Sequence, residues 1–215
     1  MATRAYAHLA PVWDFFMTAY GFKRGLSHYL ARLPMEVGEA PKCLDVGTGT
    51  GVLAFALLER FRDASVLATD LEPHMLREAK EISIEKGIPI GSLRFAMANV
   101  NKPEAITLPD GSREELRGES FDVITASGVL EYADLGKALP ALISLLKPGG
   151  YLVAIPMRDS LVAEVYGKAY SFRPIKKGVL KKHLGDLGAS VTEIPLKLEE
   201  FPANITRTGI LARKK

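Results

Sequence analysis

An α/β fold built on a doubly wound, mostly parallel sheet follows from three observations in this 215-residue chain. Strand-like and helix-like segments alternate through most of its length. The strand-like segments are continuous runs of Val, Leu, Ile and Phe, as strands covered on both faces require. The last two stand close together near the C-terminus, and a short loop between neighbours makes an antiparallel pair. Together these features predict a seven-stranded, mostly parallel sheet with an antiparallel last strand.

Taken in order, KCLDV (42–46), SVLATD (65–70), SLRFAMA (92–98), FDVITAS (121–127) and GYLVAI (150–155) predict the parallel strands. The first helix is expected over Val52 to Arg62. Pro73 suits the first position of the next, where Met75, Leu76, Ala79 and Ile82 recur on one face. A third covers Ala138 to Leu146 and is stopped by Lys147-Pro148-Gly149-Gly150. KKGVLKKHLGDLG reads as a helix closing on Gly188, followed by the strands ASVTEIPL and TRTGILARK. Two stretches break the rhythm. Asn101 to Ser120 carries the turn signal Leu108-Pro109-Asp110-Gly111 and predicts a small surface hairpin. Met157 to Pro174, beyond the fifth strand, predicts a substrate-covering segment.

Composition narrows the classes. With 47% hydrophobic and 25% charged residues the chain can bury a substantial core. Its apolar runs fall well short of the ~20 residues of a membrane span. The opening MATRAYAHLAPVWDFF lacks an apolar block of signal-peptide type, so export is not expected. The single cysteine, Cys43, sits inside an apolar strand pattern and reads as a small core residue in a cytoplasmic protein. A net charge of +3 is too mild to imply nucleic-acid binding. Its distribution is uneven: residues 1–150 carry net −3 and residues 151–215 net +6. Solvated lysine-bearing faces account for that; an acidic substrate or an anionic membrane surface is the alternative.

The chemistry centres on CLDVGTGTG, Cys43 to Gly51. Glycines let a backbone turn sharply against a ligand, and the following helix offers unpaired N–H groups. The letters Gly49 to Ala54 also satisfy the G-x-G-x-x-A pattern of a dinucleotide site. Asp45, two residues before Gly47, decides between nucleotides. An acid there repels a pyrophosphate and suits a ligand with an ammonium or sulfonium end. Asp70 closes the second strand, where a carboxylate accepts from ribose hydroxyls in either kind of site.

At this point the chain resembles the class I S-adenosylmethionine-dependent methyltransferases. DVGTGTG is similar to that family's first motif, ATDLEPHML to its second-strand motif, FDVITASGVLEY to its fourth-strand motif and LLKPGGYLV to its turn into the fifth strand. Tyr6 to Asp14 is similar to the opening of the quinone-biosynthesis and related small-molecule subgroup, with Ala7 for Asp and Trp13 for Tyr. The resemblance implies one Rossmann-like domain over residues 39–215 and an N-terminal helical cap over residues 1–38. It implies S-adenosylmethionine as cofactor, with Asp45 on the methionine ammonium, directly or through water. Gly47, Gly49 and Gly51 would lie against the cofactor, Asp70 on the ribose and Leu71 on the adenine face. Asn99, where many relatives have Asp, and Val100 would flank the adenine; Ser127, Gly128 and Tyr6 would line the methionine end.

Methyl transfer from a sulfonium is an in-line displacement with an activated leaving group. Alignment can supply ~7–11 kcal/mol of barrier reduction, and a base is required only if the acceptor must lose a proton. The motifs therefore fix no catalytic residue; the candidates at the mouth are Tyr6, His8, Glu131 and Tyr132. No metal is expected, since neither a zinc-type Cys/His cluster nor a magnesium-binding acid set is recognisable. Ala126-Ser127-Gly128-Val129 replaces the N-P-P-Y-type loop of amino-methylating DNA enzymes, which disfavours nucleic acid. The expected acceptor is a small molecule or lipid-like compound. The sequence leaves the oligomeric state open. It also leaves open a phospholipid N-methyltransferase with weak membrane-surface contact, a nicotinamide-dependent oxidoreductase, and a catalytically silent protein of the same fold.

Overall fold

The computed structural model describes residues 21–159 and 173–215. Its strands are β1 (Lys42–Val46), β2 (Ser65–Asp70), β3 (Leu93–Asn99), β4 (Lys102–Thr107), β5 (Arg113–Glu115), β6 (Phe121–Ser127), β7 (Leu146–Ile155), β8 (Ser190–Glu193) and β9 (Ile210–Arg213). Its helices are α1 (Phe22–Ala31), α2 (Val52–Arg60), α3 (Pro73–Glu85), α4 (Leu135–Leu145), α5 (Lys177–Asp186) and the short α6 (Ala203–Thr206).

The strands form one nine-stranded sheet in the order β5-β4-β3-β2-β1-β6-β7-β9-β8. β3, β2, β1, β6 and β7 run parallel. β9 is antiparallel to both of its neighbours, β7 and β8. Among the described residues the expected count of seven strands is thus corrected to nine, because the polar connection after β3 folds back and extends the sheet edge as β4 and β5. Its turn is the one the sequence signals. Gly111, at φ 87, donates its N–H to Leu108 O, and Asp110 accepts from the Ser112 N–H at 2.9 Å. β5 is exposed throughout, as a charged edge strand is.

Alternate residues along the parallel strands enter two different cores. Leu44, Ile124 and Leu152 pack with Leu139, Leu142 and Leu180 on one face. Cys43, Val123 and Val153 pack with Tyr29, Leu30, Leu53 and Leu57 on the other. A period-2 alternation feeding two apolar layers is what a doubly wound sheet requires. Cys43 is fully buried, and burial pushes its thiol up to about 12, so it packs as an inert core residue.

Two boundaries move for identifiable reasons. α4 begins at Leu135 because Asp134 caps it, accepting from the Gly136 N–H at 3.0 Å. β7 begins at Leu146 and includes Lys147-Pro148-Gly149-Gly150, the expected stop, where its register against β6 shifts between Leu146 and Tyr151 and Gly149 takes φ 79. A side chain on Gly150 would sit 3.0–3.2 Å from the carbonyls of Lys147, Asp122 and Phe121, so the strand passes only because no side chain is there.

α1 lies against α2 and is tied to the C-terminal loop. The Tyr29 hydroxyl donates to Ile194 O at 2.9 Å, and Arg32 pairs with the fully buried Glu200. Sixteen residues, with α6 among them, separate β8 from β9, so their pairing is not made by a tight turn.

Candidate active site

The parallel register brings the carboxyl ends of β3, β2, β1 and β6 to one edge. Asp45 stands beside Ala68 and Thr125, Val46 beside Thr69 and Ala126, and Asp70 beside Met97. The chain leaves β1 toward β2 on one side and meets β6 on the other, which makes this the switch point where open α/β sheets bind ligands.

Asp45 is the buried centre of the turn. It is 2% exposed and accepts from the hydroxyls of Thr48 and Thr125, each at 2.6 Å, and from the Ala54 N–H at 3.1 Å. Burial pushes its carboxyl up to about 6, against those three hydrogen bonds, which lower it; the neighbouring Asp70 charge raises it further. The Ala54 N–H belongs to the first turn of α2. A pyrophosphate would seek that helix end, and a buried carboxylate already occupies it.

The glycines divide by what surrounds them. Gly47 has φ 65, and a side chain there would start 2.5 Å from the Val129 side chain. Gly49 has φ 54, but nothing lies within 4 Å of where its side chain would begin. The space beside Gly49 is thus a cradle open to a ligand lying against backbone, and the residues present would fit S-adenosylmethionine there. Asp70 accepts from the Gly49 N–H at 2.8 Å and the Glu72 N–H at 3.0 Å, which fixes its carboxylate beside the cradle. Burial raises the Asp70 carboxyl, and its backbone hydrogen bonds oppose that. Leu71, next to Asp70, is 55% exposed, an apolar surface beside that carboxylate.

At the β3 end, Asn99 is exposed and its side-chain oxygen accepts from the Asn101 N–H at 2.9 Å. A carbonyl oxygen has a second lone pair, which remains for an adenine amino group. Val100 is buried behind it. Ser127 ends β6, and Gly128 follows at φ 65. Tyr132 is 46% exposed, whereas Glu131 is 5% exposed. Glu131 accepts from the Met157 N–H, and its carboxylate stands 3.8 Å from the Arg207 guanidinium. Tyr6 and His8 lie outside the described residues, as does most of the expected covering segment. Among the described residues, no three His, Cys, Asp or Glu side chains gather as a metal site.

The structure adds three residues to the sequence-derived set. Thr48 and Thr125 hold Asp45. Thr125 was findable: it is a polar residue in an apolar strand, in register with Asp45. Arg207 sits between Glu131 and Gly128, with its guanidinium 3.3 Å from where a Gly128 side chain would begin. It comes from the loop before β9, and no spacing in the sequence could place it there.

Comparison with known proteins agrees with this fold. A methyltransferase-domain family model matches residues 44–152. The demethylmenaquinone methyltransferase of Thermus thermophilus is 32% identical over 205 residues, covering 92% of this chain and 84% of that protein. Among solved structures, the complex of a Haloferax volcanii methyltransferase with its Trm112 activator gives a TM-score of 0.71 at 18% identity, covering 98% of this chain and 97% of that one. Haemonchus contortus phosphoethanolamine N-methyltransferase 2, solved with S-adenosyl-L-methionine, gives 0.64 at 17% identity, covering 89% of this chain and 52% of that one. By family model, relatives and fold together, the chain belongs to the class I S-adenosylmethionine-dependent methyltransferases.

Proposed function

We propose that the chain methylates a small-molecule or lipid-like acceptor of the quinone class, with the cofactor seated in the Gly49 cradle. The observation that carries the reading is that cradle, bordered by Asp70 and Asp45 and built on glycines. The acceptor class rests on the name of the Thermus relative. S-adenosylmethionine, when bound, supplies a methyl group on a sulfonium. Asp70 accepts from the ribose hydroxyls, Leu71 covers the adenine, and the Asn99 carbonyl accepts from its amino group. Asp45 supplies negative charge toward the ammonium from inside the turn. Ser127 and Gly128 present backbone to the reacting end, and Glu131 or Tyr132 is placed at that mouth for any proton the acceptor must lose. We assign residues 1–38 as a cap and 39–215 as the catalytic domain, with α1 preceding the β-α-β series. The cytoplasm is the compartment we assign, supported by the lone cysteine. Among the described residues, no helix is long and apolar enough to cross a membrane.

A nicotinamide dinucleotide fits less well, because Asp45 places a carboxylate at the helix end that a pyrophosphate needs. The functional test is transfer of a radiolabelled methyl group from S-adenosylmethionine into reduced-quinone, lipid and small-amine extracts. Label in the quinone fraction supports the acceptor class. Label elsewhere replaces it, and no label in any fraction, with cofactor binding intact, favours a silent protein.

Asp45 also gives the site a pH dependence. A cationic ligand end prefers the ionised carboxylate, and that form is lost as pH falls through about 6. Affinity for S-adenosylmethionine should therefore decline below pH 6, approaching a slope of about tenfold per pH unit for one linked proton. Asp45→Asn should flatten the profile. Calorimetric titrations at pH 5, 6 and 7 check this, and a wild-type profile already flat would remove Asp45 from the ligand's field.

A further inference from the structure

Beside the cleft, a cavity of about 450 Å³ is lined by Arg158, Lys176, Lys177 and Arg207, against the acids Asp159 and Glu193. Its lining is net positive, and the acids do not cancel it evenly. Glu193 is held by Lys177 at 2.9 Å and Lys181 at 3.7 Å. Arg158 donates to the Asn204 carbonyl at 2.8 Å, a contact that orients its guanidinium without neutralising it. The Lys176 ammonium has no ionic partner among the described residues. Arg207 is 8% exposed and faces the likewise buried Glu131 at 3.8 Å, so the cavity's uncompensated charge comes from Arg158 and Lys176.

The backbone has the same polarity. Gly178 lines the cavity in the first turn of α5, a ten-residue helix that no side chain caps and whose first turn holds no acid. Its leading N–H groups therefore add positive potential to that of Arg158 and Lys176.

Arg207 joins this cavity to the reaction site. Arg207 lines the cavity, and its buried guanidinium backs Gly128, 3.3 Å from where a side chain would begin, and stands 3.8 Å from Glu131. A group held in the cavity therefore lies one side chain away from the cleft mouth. We propose that this cavity is an oxyanion site for a phosphate-type group that anchors the methyl acceptor, either as the acceptor's own phosphate or as a phospholipid headgroup beside it. The assignment deepens the methyltransfer reading and rests on it for the acceptor's position.

The test titrates inorganic pyrophosphate into the full-length protein by NMR at low and moderate salt, with S-adenosylmethionine titrated separately. Wild type should show saturable shifts around Gly178 and Thr208, weakening as salt rises. The double variant Lys176→Ala/Arg158→Ala should bind pyrophosphate at least tenfold more weakly, with unchanged affinity for S-adenosylmethionine. No saturable binding in wild type, or equal binding in the folded double variant, overturns the site. Sedimentation with vesicles of phosphatidylcholine alone or with phosphatidylglycerol separates the sources. Binding to the anionic vesicles that pyrophosphate displaces identifies a headgroup, and pyrophosphate binding without vesicle binding identifies a soluble phosphate. Vesicle binding without pyrophosphate binding overturns the cavity in favour of a diffuse basic surface. A failure to bind S-adenosylmethionine would count against the cofactor reading and leave the phosphate result interpretable.

Discussion

Asp70→Ala should weaken S-adenosylmethionine binding by about 10- to 150-fold while leaving the protein folded. The range follows from removing hydrogen bonds to a charged acceptor, worth about 1.5–3 kcal/mol. The carboxylate is poised by its own backbone contacts: it accepts from Gly49 at 2.8 Å and from Glu72 at 3.0 Å. The ligand therefore meets an acceptor already in place and does not have to order it. Calorimetric titration of wild type and variant measures the effect, with circular dichroism to verify folding. An unchanged dissociation constant would remove Asp70 from the site.

Gly47→Ala should lower stability by about 2–5 kcal/mol. A left-handed residue with a side chain costs roughly 1–2 kcal/mol, and overpacking adds roughly 1–3 kcal/mol. Both apply at Gly47, with φ 65 and Val129 at 2.5 Å. Gly49→Ala bears only the conformational cost, because its surroundings are open. Its defect should appear chiefly in cofactor affinity, since the new methyl group enters the cradle. Thermal unfolding and titration of both variants separate the roles. If the two lose stability equally and bind alike, Gly49 faces no ligand.

The sequence made the parallel strands and their helices readable because apolar runs, Pro73 and the glycine turns are local signals. β1, β2 and β6 begin and end where the apolar runs do. The extra strands β4 and β5 read from sequence only as a surface hairpin because their alternation is obscured by charge, which suits an edge but hides a strand. Within the site, Asp45 was legible as an acid in the turn. Its burial and its two threonine donors were not, since Thr125 meets it only through sheet register. The basic cavity was visible only as an excess of charge in the C-terminal third. Arg158, Lys176 and Arg207 converge there because the last strands fold back beside β7, a long-range event with no local signature.

The turn from Asp45 to Gly51, with Asp70 beside it, should bind S-adenosylmethionine, and calorimetric titration of one protein preparation with S-adenosylmethionine, its demethylated product and NAD measures this. Saturable one-site binding of the first two, with no heat from NAD, is the predicted result. NAD binding without binding of the sulfonium ligand would contradict it.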